Sequence, residues 1–187
     1  MHKTVAYSKF NSGVTLVELM IVVAIAALLA SIGIPSYREM VVSNKISSVV
    51  SDLHSSFLLA RSEALKRGTS VTVCKSSAVN GSDPVCDPSA SAVGWGTGWI
   101  IFVDADGSRT RQLSEPIIQV KGPYFISDTE GKIVSNAVGA AVQFNRTGQT
   151  FANTQFTVNA PSSMSTQDRT VCVVIGGRAK VVSGSTC

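Results

Sequence analysis

Gly13-Val14-Thr15-Leu16-Val17-Glu18-Leu19 opens a run, GVTLVELMIVVAIAALLASIGIPSY, that extends to Tyr37 and holds one charged residue, Glu18. At 1.5 Å per helical residue, residues 14–37 span roughly 35 Å, enough to cross the hydrocarbon core of a bilayer. Residues 1–13 before the run are polar and basic, with Lys3 and Lys9, and Arg38 bounds its far side. A positive N-terminal flank favours an N-terminus in the cytoplasm. An ordinary secretory signal has a shorter apolar core with a small-x-small cleavage site after it. Here the run is longer and leads into an amphipathic stretch, so it reads as a retained anchor. Glu18 is the informative residue. A carboxylate inside an apolar span costs about 2.5 kcal/mol or more on insertion scales, which marks it as functional. A free α-amino group, made by cleavage after Gly13 on the same chain or a neighbour, is a partner able to neutralise it.

Working outward, Ile46, Val50, Leu53, Phe57, Ala60 and Ala64 recur at spacings of three and four and fall on one helical face. Glu63 and Arg67 are spaced i,i+4 for an ion pair, and Gly68 stops the helix. Gly33 and Pro35 predict a bend or local break between the two halves. Beyond Gly68 the period changes. Residues 70–74, 98–104, 117–120, 141–145, 155–159, 170–175 and 178–183 are short, rich in Val, Ile and Phe, and bounded by Gly, Asp, Asn, Pro and Ser. One long helix followed by many strands predicts an α+β domain with mainly antiparallel sheet. The expected organisation is residues 1–13 as a removed leader, 14–37 as the transmembrane helix, 38–68 as the amphipathic helix and 69–187 as the β-rich domain. Residues 76–92 are expected to be its most mobile surface.

Composition narrows the function. The chain has 187 residues, 16 basic and 12 acidic; without Lys3 and Lys9 the balance is 14 against 12. That near-neutrality predicts no general affinity for nucleic acid, so such binding needs a local basic cluster. The four cysteines, Cys74, Cys86, Cys172 and Cys187, form two sequence-local pairs, which favours disulfides and an oxidising compartment. Four reduced core thiols are the alternative, and connectivity is left open. There is no CxxC, and without residues 1–13 the sole histidine is His54, which argues against zinc. His54 is expected to be exposed. No nucleophile elbow or phosphate-cradling glycine loop is present, so no enzyme activity and no cofactor are expected.

The N-terminal residues carry a family resemblance. Gly13 to Leu19 resembles the processing motif of type IV pilins and type II secretion pseudopilins. In that family a prepilin peptidase cuts after the glycine and the new N-terminus is methylated. The resemblance implies Gly13 as the last leader residue, Val14 as the methylated first residue and Glu18 as the fifth-position assembly glutamate. Val14 departs from the phenylalanine usual there. The implied partners are the prepilin peptidase, the inner membrane, and other pilins or pseudopilins through the N-terminal helix. The domain implied is periplasmic until it enters the fibre.

Two further stretches narrow the branch. Residues 59–68, LARSEALKRG, with Val71-Thr72-Val73-Cys74, and the element Trp95-Gly96-Thr97-Gly98-Trp99 leading to Phe102 and Asp104, resemble the GspH/FimT group of pseudopilins and minor pilins. Trp95 and Trp99 are expected to anchor the start of a strand. Asp104-Ala105-Asp106-Gly107 invites a calcium reading, with Glu115 at the twelfth loop position. The glycine of such a loop belongs at position six, however, and Gly107 comes two residues early, so a plain turn between strands is expected and no metal. Cys172 to Val182 reads as a hairpin with Gly176-Gly177 at its turn, which puts Arg178 and Lys180 on one face. Gly177-Arg178-Ala179-Lys180 is similar to the G-R-x-R motif of FimT-type minor pilins that bind DNA, with lysine in place of the second arginine. The resemblance therefore implies double-stranded DNA as an alternative partner. A solvated hairpin tip is the plainer reading.

Overall fold

A computed structural model describes residues 13–187. The rest of the expected leader, residues 1–12, lies outside the described residues. The chain divides into two compact units, Met1–Met40 and Val41–Cys187.

Helix α1 (Leu16–Arg67) begins in the first unit. Thr15 caps it, its Oγ1 accepting the Glu18 backbone N–H at 3.2 Å. The hydroxyl satisfies an N–H that has no carbonyl one turn back. Glu18 stands in the first turn, where a carboxylate complements the helix dipole. The expected local break is absent, because Gly33 and Pro35 both lie inside α1. Proline removes only the hydrogen bond to the carbonyl four residues back, that of Ser31. One missing bond does not end a helix of 52 residues.

In the second unit α1 ends at Gly68, whose left-handed conformation (φ 66°) and N–H to the Ala64 carbonyl (3.0 Å) close the last turn. Arg67 Nε donates to Glu63 Oε2 at 2.6 Å. Eight strands follow: β1 (Val71–Lys75), β2 (Trp99–Val103), β3 (Ile117–Lys121), β4 (Lys132–Ser135), β5 (Ala141–Phe144), β6 (Thr154–Asn159), β7 (Arg169–Val173) and β8 (Ala179–Ser183). They form two four-stranded sheets, ordered β3-β2-β1-β5 and β4-β6-β7-β8. Every pairing within them is antiparallel.

The six stripe residues of α1 are all buried, with Val49 and Ser56 beside them. They share one core with Val71, Val73 and Phe144 of the first sheet and Phe156, Val158 and Val171 of the second. Phe57 bridges the sheets, its ring 6.4 Å from Phe144 and 4.9 Å from Phe156. Trp95 and Trp99 are buried, as anchors should be. Trp99 donates its indole N–H to Ser56 Oγ at 2.9 Å and stacks on Tyr124. Tyr124 and Lys121 both reach Asp52 of α1, at 3.0 and 2.7 Å. Burial, with the Asp52 carboxylate beside it, pushes the Tyr124 phenol above its ordinary range.

The other face of the first sheet is covered too. Cys74, Ile100, Phe102 and Ala141 form a smaller cluster against Cys86, which is bonded to Cys74. The loop 76–92 covers this face as a lid, with Cys86 packed against it. It is tied by the Asp87 N–H to the Lys75 carbonyl (2.8 Å), Lys75 Nζ to the Ser89 carbonyl (2.6 Å) and Arg111 to the Pro84 carbonyl (3.1 Å). Cys172 is bonded to Cys187.

Candidate functional site

Two surfaces bring expected residues to solvent. The first is the N-terminal part of α1, where every described residue from Gly13 to Val41 is exposed. The most apolar stretch of 18 residues has a mean hydropathy of 2.6, long and apolar enough to cross a membrane. A helix that is apolar all round has no side to offer water, so it requires lipid or neighbouring apolar helices. Glu18 lies at its start with its side chain exposed, while its backbone N–H serves the Thr15 cap. The spacing Thr15-x-x-Glu18, with threonine at the cap and glutamate at N3, was a helix-start signal that the processing motif overshadowed.

The second surface is the hairpin joining β7 and β8. Its turn is closed by the Gly177 N–H to the Val174 carbonyl (2.7 Å) and the Val174 N–H to the Arg178 carbonyl (3.1 Å). Arg178 precedes β8, one residue later than the expected strand start. Gly177 and Ala179 are buried, whereas Arg178 and Lys180 are exposed, so alternation puts both cations on the outer face. Among the described residues neither makes an ion pair. Lys180 stands opposite the bridged Cys172 in the register, which fixes the backbone beneath it.

Two further arginines meet this turn. Gly177 has φ 73°, and a Cβ there would collide with the Gly148 carbonyl and come within 3.3 Å of Arg61 Nε. The turn 145–149, which carries exposed Arg146, is thus seated on the basic hairpin. Arg61 Nε is buried without a hydrogen-bond partner. Arg169 sits at the far end of β7, opposite Ser183, and three residues from Cys172, so it falls on the other face from Lys180. Arg61 carried no signal, being one of several polar residues on the outer flank of α1.

His54 is half-buried rather than exposed, its Nε2 lying 3.3 Å from the Ala179 carbonyl. The hairpin packs over that part of α1 and takes the ring as a backbone partner.

The sequence matches the family model for the type II transport protein GspH over residues 49–177. It also matches the prokaryotic N-terminal methylation motif over residues 8–34. No curated protein matches it. The crystal structure of the type IV minor pilin FimU of Pseudomonas aeruginosa PAO1 in space group P21 has a similar fold. It is 17% identical, the match covers 74% of this chain and 89% of that one, and the TM-score is 0.52. FimU in space group P65 gives 17%, 73%, 91% and 0.49. At that identity the likeness speaks for the fold alone.

Proposed function

The chain belongs to the GspH family of pilin-type structural subunits, and from that membership we propose that it is a minor subunit of an inner-membrane-anchored, pilus-like fibre and has no enzyme activity. The observation that carries this is the wholly exposed apolar start of α1 with Glu18 as its one charge. Prepilin peptidase cuts after Gly13, and Val14 becomes the methylated N-terminus. The helix rests in the membrane with the second unit in the periplasm, then exchanges lipid for neighbouring subunit helices as the fibre grows. Glu18 meets the free α-amino group of its own or a neighbouring chain there. A type IV pilus and a type II secretion pseudopilus both accept such a subunit. The matched family is described as a type II transport protein, and FimU, whose fold this chain resembles, as a type IV minor pilin. The test is Glu18→Ala in the producing cell. Incorporation into fibres is expected to fall sharply while the β unit keeps its wild-type unfolding midpoint. Normal incorporation of the variant would remove this role for Glu18.

A second reading is favoured by the hairpin. Arg178 and Lys180, unpaired on one face, with Arg146 on the adjoining turn, make the local cluster that DNA binding requires in a near-neutral chain. The detergent-solubilised chain is expected to bind duplex DNA less tightly as salt rises, and Arg178→Ala with Lys180→Ala to abolish binding. Lysine lacks the planar fork of arginine, so Lys180→Arg is expected to tighten it. Absence of binding at low salt leaves the structural role alone.

A further inference from the structure

The connection between β2 and β3, residues 104–116, is a turn between strands, as expected, but it gathers three carboxylates. One oxygen from each of Asp104, Asp106 and Glu115 lies within 4.8 Å of the others. Acidic clusters of this kind are common, and the cluster alone decides nothing. Asp104 supplies the independent observation. It is fully buried, and its Oδ2 accepts three hydrogen bonds, from Thr72 Oγ1 (2.6 Å), Gln143 Nε2 (2.6 Å) and the Arg109 backbone N–H (3.0 Å). Its Oδ1 has neither a partner nor solvent. A buried carboxylate oxygen without a partner is costly and calls for a counter-charge.

The protein's own cations are not that counter-charge. Arg111 is committed to the Glu115 and Pro84 carbonyls (3.1 Å each) and to an ion pair with Asp83. The other loop cation, Arg109, has an exposed side chain. The loop that Asp104 opens is itself rich in oxygen donors. Counted from Asp104, the first, third and twelfth positions are Asp104, Asp106 and Glu115. The fifth and seventh are Ser108, whose hydroxyl donates to the Thr110 carbonyl at 3.0 Å, and Thr110 itself. Those are the positions from which a twelve-residue calcium loop draws its ligands. The sequence argument against such a loop was the lack of glycine at position six. Arg109 stands there, and its φ is 61°, so the required left-handed turn is made without glycine.

We propose that the loop from Asp104 to Glu115 binds one hard divalent cation, calcium by preference. Its ligands are the three carboxylates, the Ser108 hydroxyl and the Thr110 carbonyl. Three negative charges around a divalent ion leave the site close to balance. A loop of mixed carboxylate, hydroxyl and carbonyl oxygens suits the flexible coordination of calcium better than the strict octahedron of magnesium. Through Thr72 of β1 and Gln143 of β5, the ion braces one end of the first sheet. This inference stands apart from the fibre reading and does not need it.

The test uses the detergent-solubilised full chain, stripped with a chelator and titrated with calcium chloride and with magnesium chloride by calorimetry. One calcium per chain is expected, with Kd of about 10⁻³ M or tighter and magnesium at least tenfold weaker. Tm is expected to rise by about 5 °C or more at a hundredfold excess over Kd. Asp106→Asn, at an exposed side chain, is expected to keep the metal-free Tm and lose calcium affinity by tenfold or more. Glu115→Gln checks the inner ligand. The proposal is overturned by absence of heat and of Tm shift at calcium about tenfold above that Kd ceiling. Wild-type affinity in Asp106→Asn overturns it equally.

Discussion

From Leu16 to Val41 every residue of α1 is exposed, whereas from Ile46 to Ala64 the same helix buries eight side chains. The first part is apolar on all sides. The second interrupts its apolar residues with Ser47, Ser51, Asp52, Ser55 and Ser62 and so has a face to give to water. What earns a place in the chain's own core is therefore the period of the pattern, not its apolar content. The uninterrupted part saves its surface for an apolar environment outside the chain.

The sharpest way to break this contrast is to truncate one large side chain in each part. Phe57→Ala opens a cavity between the two sheets and is expected to lower stability by about 3–5 kcal/mol. Leu28→Ala is expected to leave the β unit within about 0.5 kcal/mol of wild type. Urea unfolding of the detergent-solubilised chain, followed by Trp95 and Trp99 fluorescence, measures both. Equal losses would show that the two parts share one core. Next in size is the bridge between Cys172 and Cys187, which closes a separation of 15 residues. Replacing both cysteines by serine is expected to cost about 3 kcal/mol, read in the same experiment, with insertion of the N-terminal part into vesicles unchanged.

The smallest expected effect concerns acid. Asp87 is held at a pKa of about 2, chiefly by the Ser77 hydroxyl and then by Ser89, below the ordinary 3.8. A carboxylate depressed in the folded state adds stability that is fully present above the unfolded pKa. That stability is lost as pH falls through the folded value. The unfolding midpoint is therefore expected to drop between about pH 4 and pH 2, and Asp87→Asn is expected to flatten part of that slope. An unchanged slope would mean that the lid over the first sheet does not depend on Asp87.

Periodicity made α1 and seven of the strands legible, because each writes its own pattern within a few residues. The missed strand, Lys132–Ser135, is an edge of four residues with only Ile133 buried, too short for alternation to register. The split into two sheets was equally hidden, since strand order is set by pairings between distant segments. Arg178 and Lys180 were readable as a pair because they flank a single turn. Arg61 and Arg146 were not, since their closeness to that turn depends on how α1 and two separate loops pack. Ser56 shows the same limit: a serine in a helix reads as surface, yet it is buried to receive the Trp99 indole.

Gly177 and Gly148 lie so close that each turn is the other's wall. A side chain at position 177 has no room, while those of Arg178 and Lys180 project freely. Across descendants of this sequence the hairpin is therefore expected to change its charge readily and its shape hardly at all. The two glycines should be inherited as a couple, and the cations beside them exchanged one at a time. The same scaffold then lets a lineage gain or shed an affinity for polyanions by single substitutions, without refolding anything.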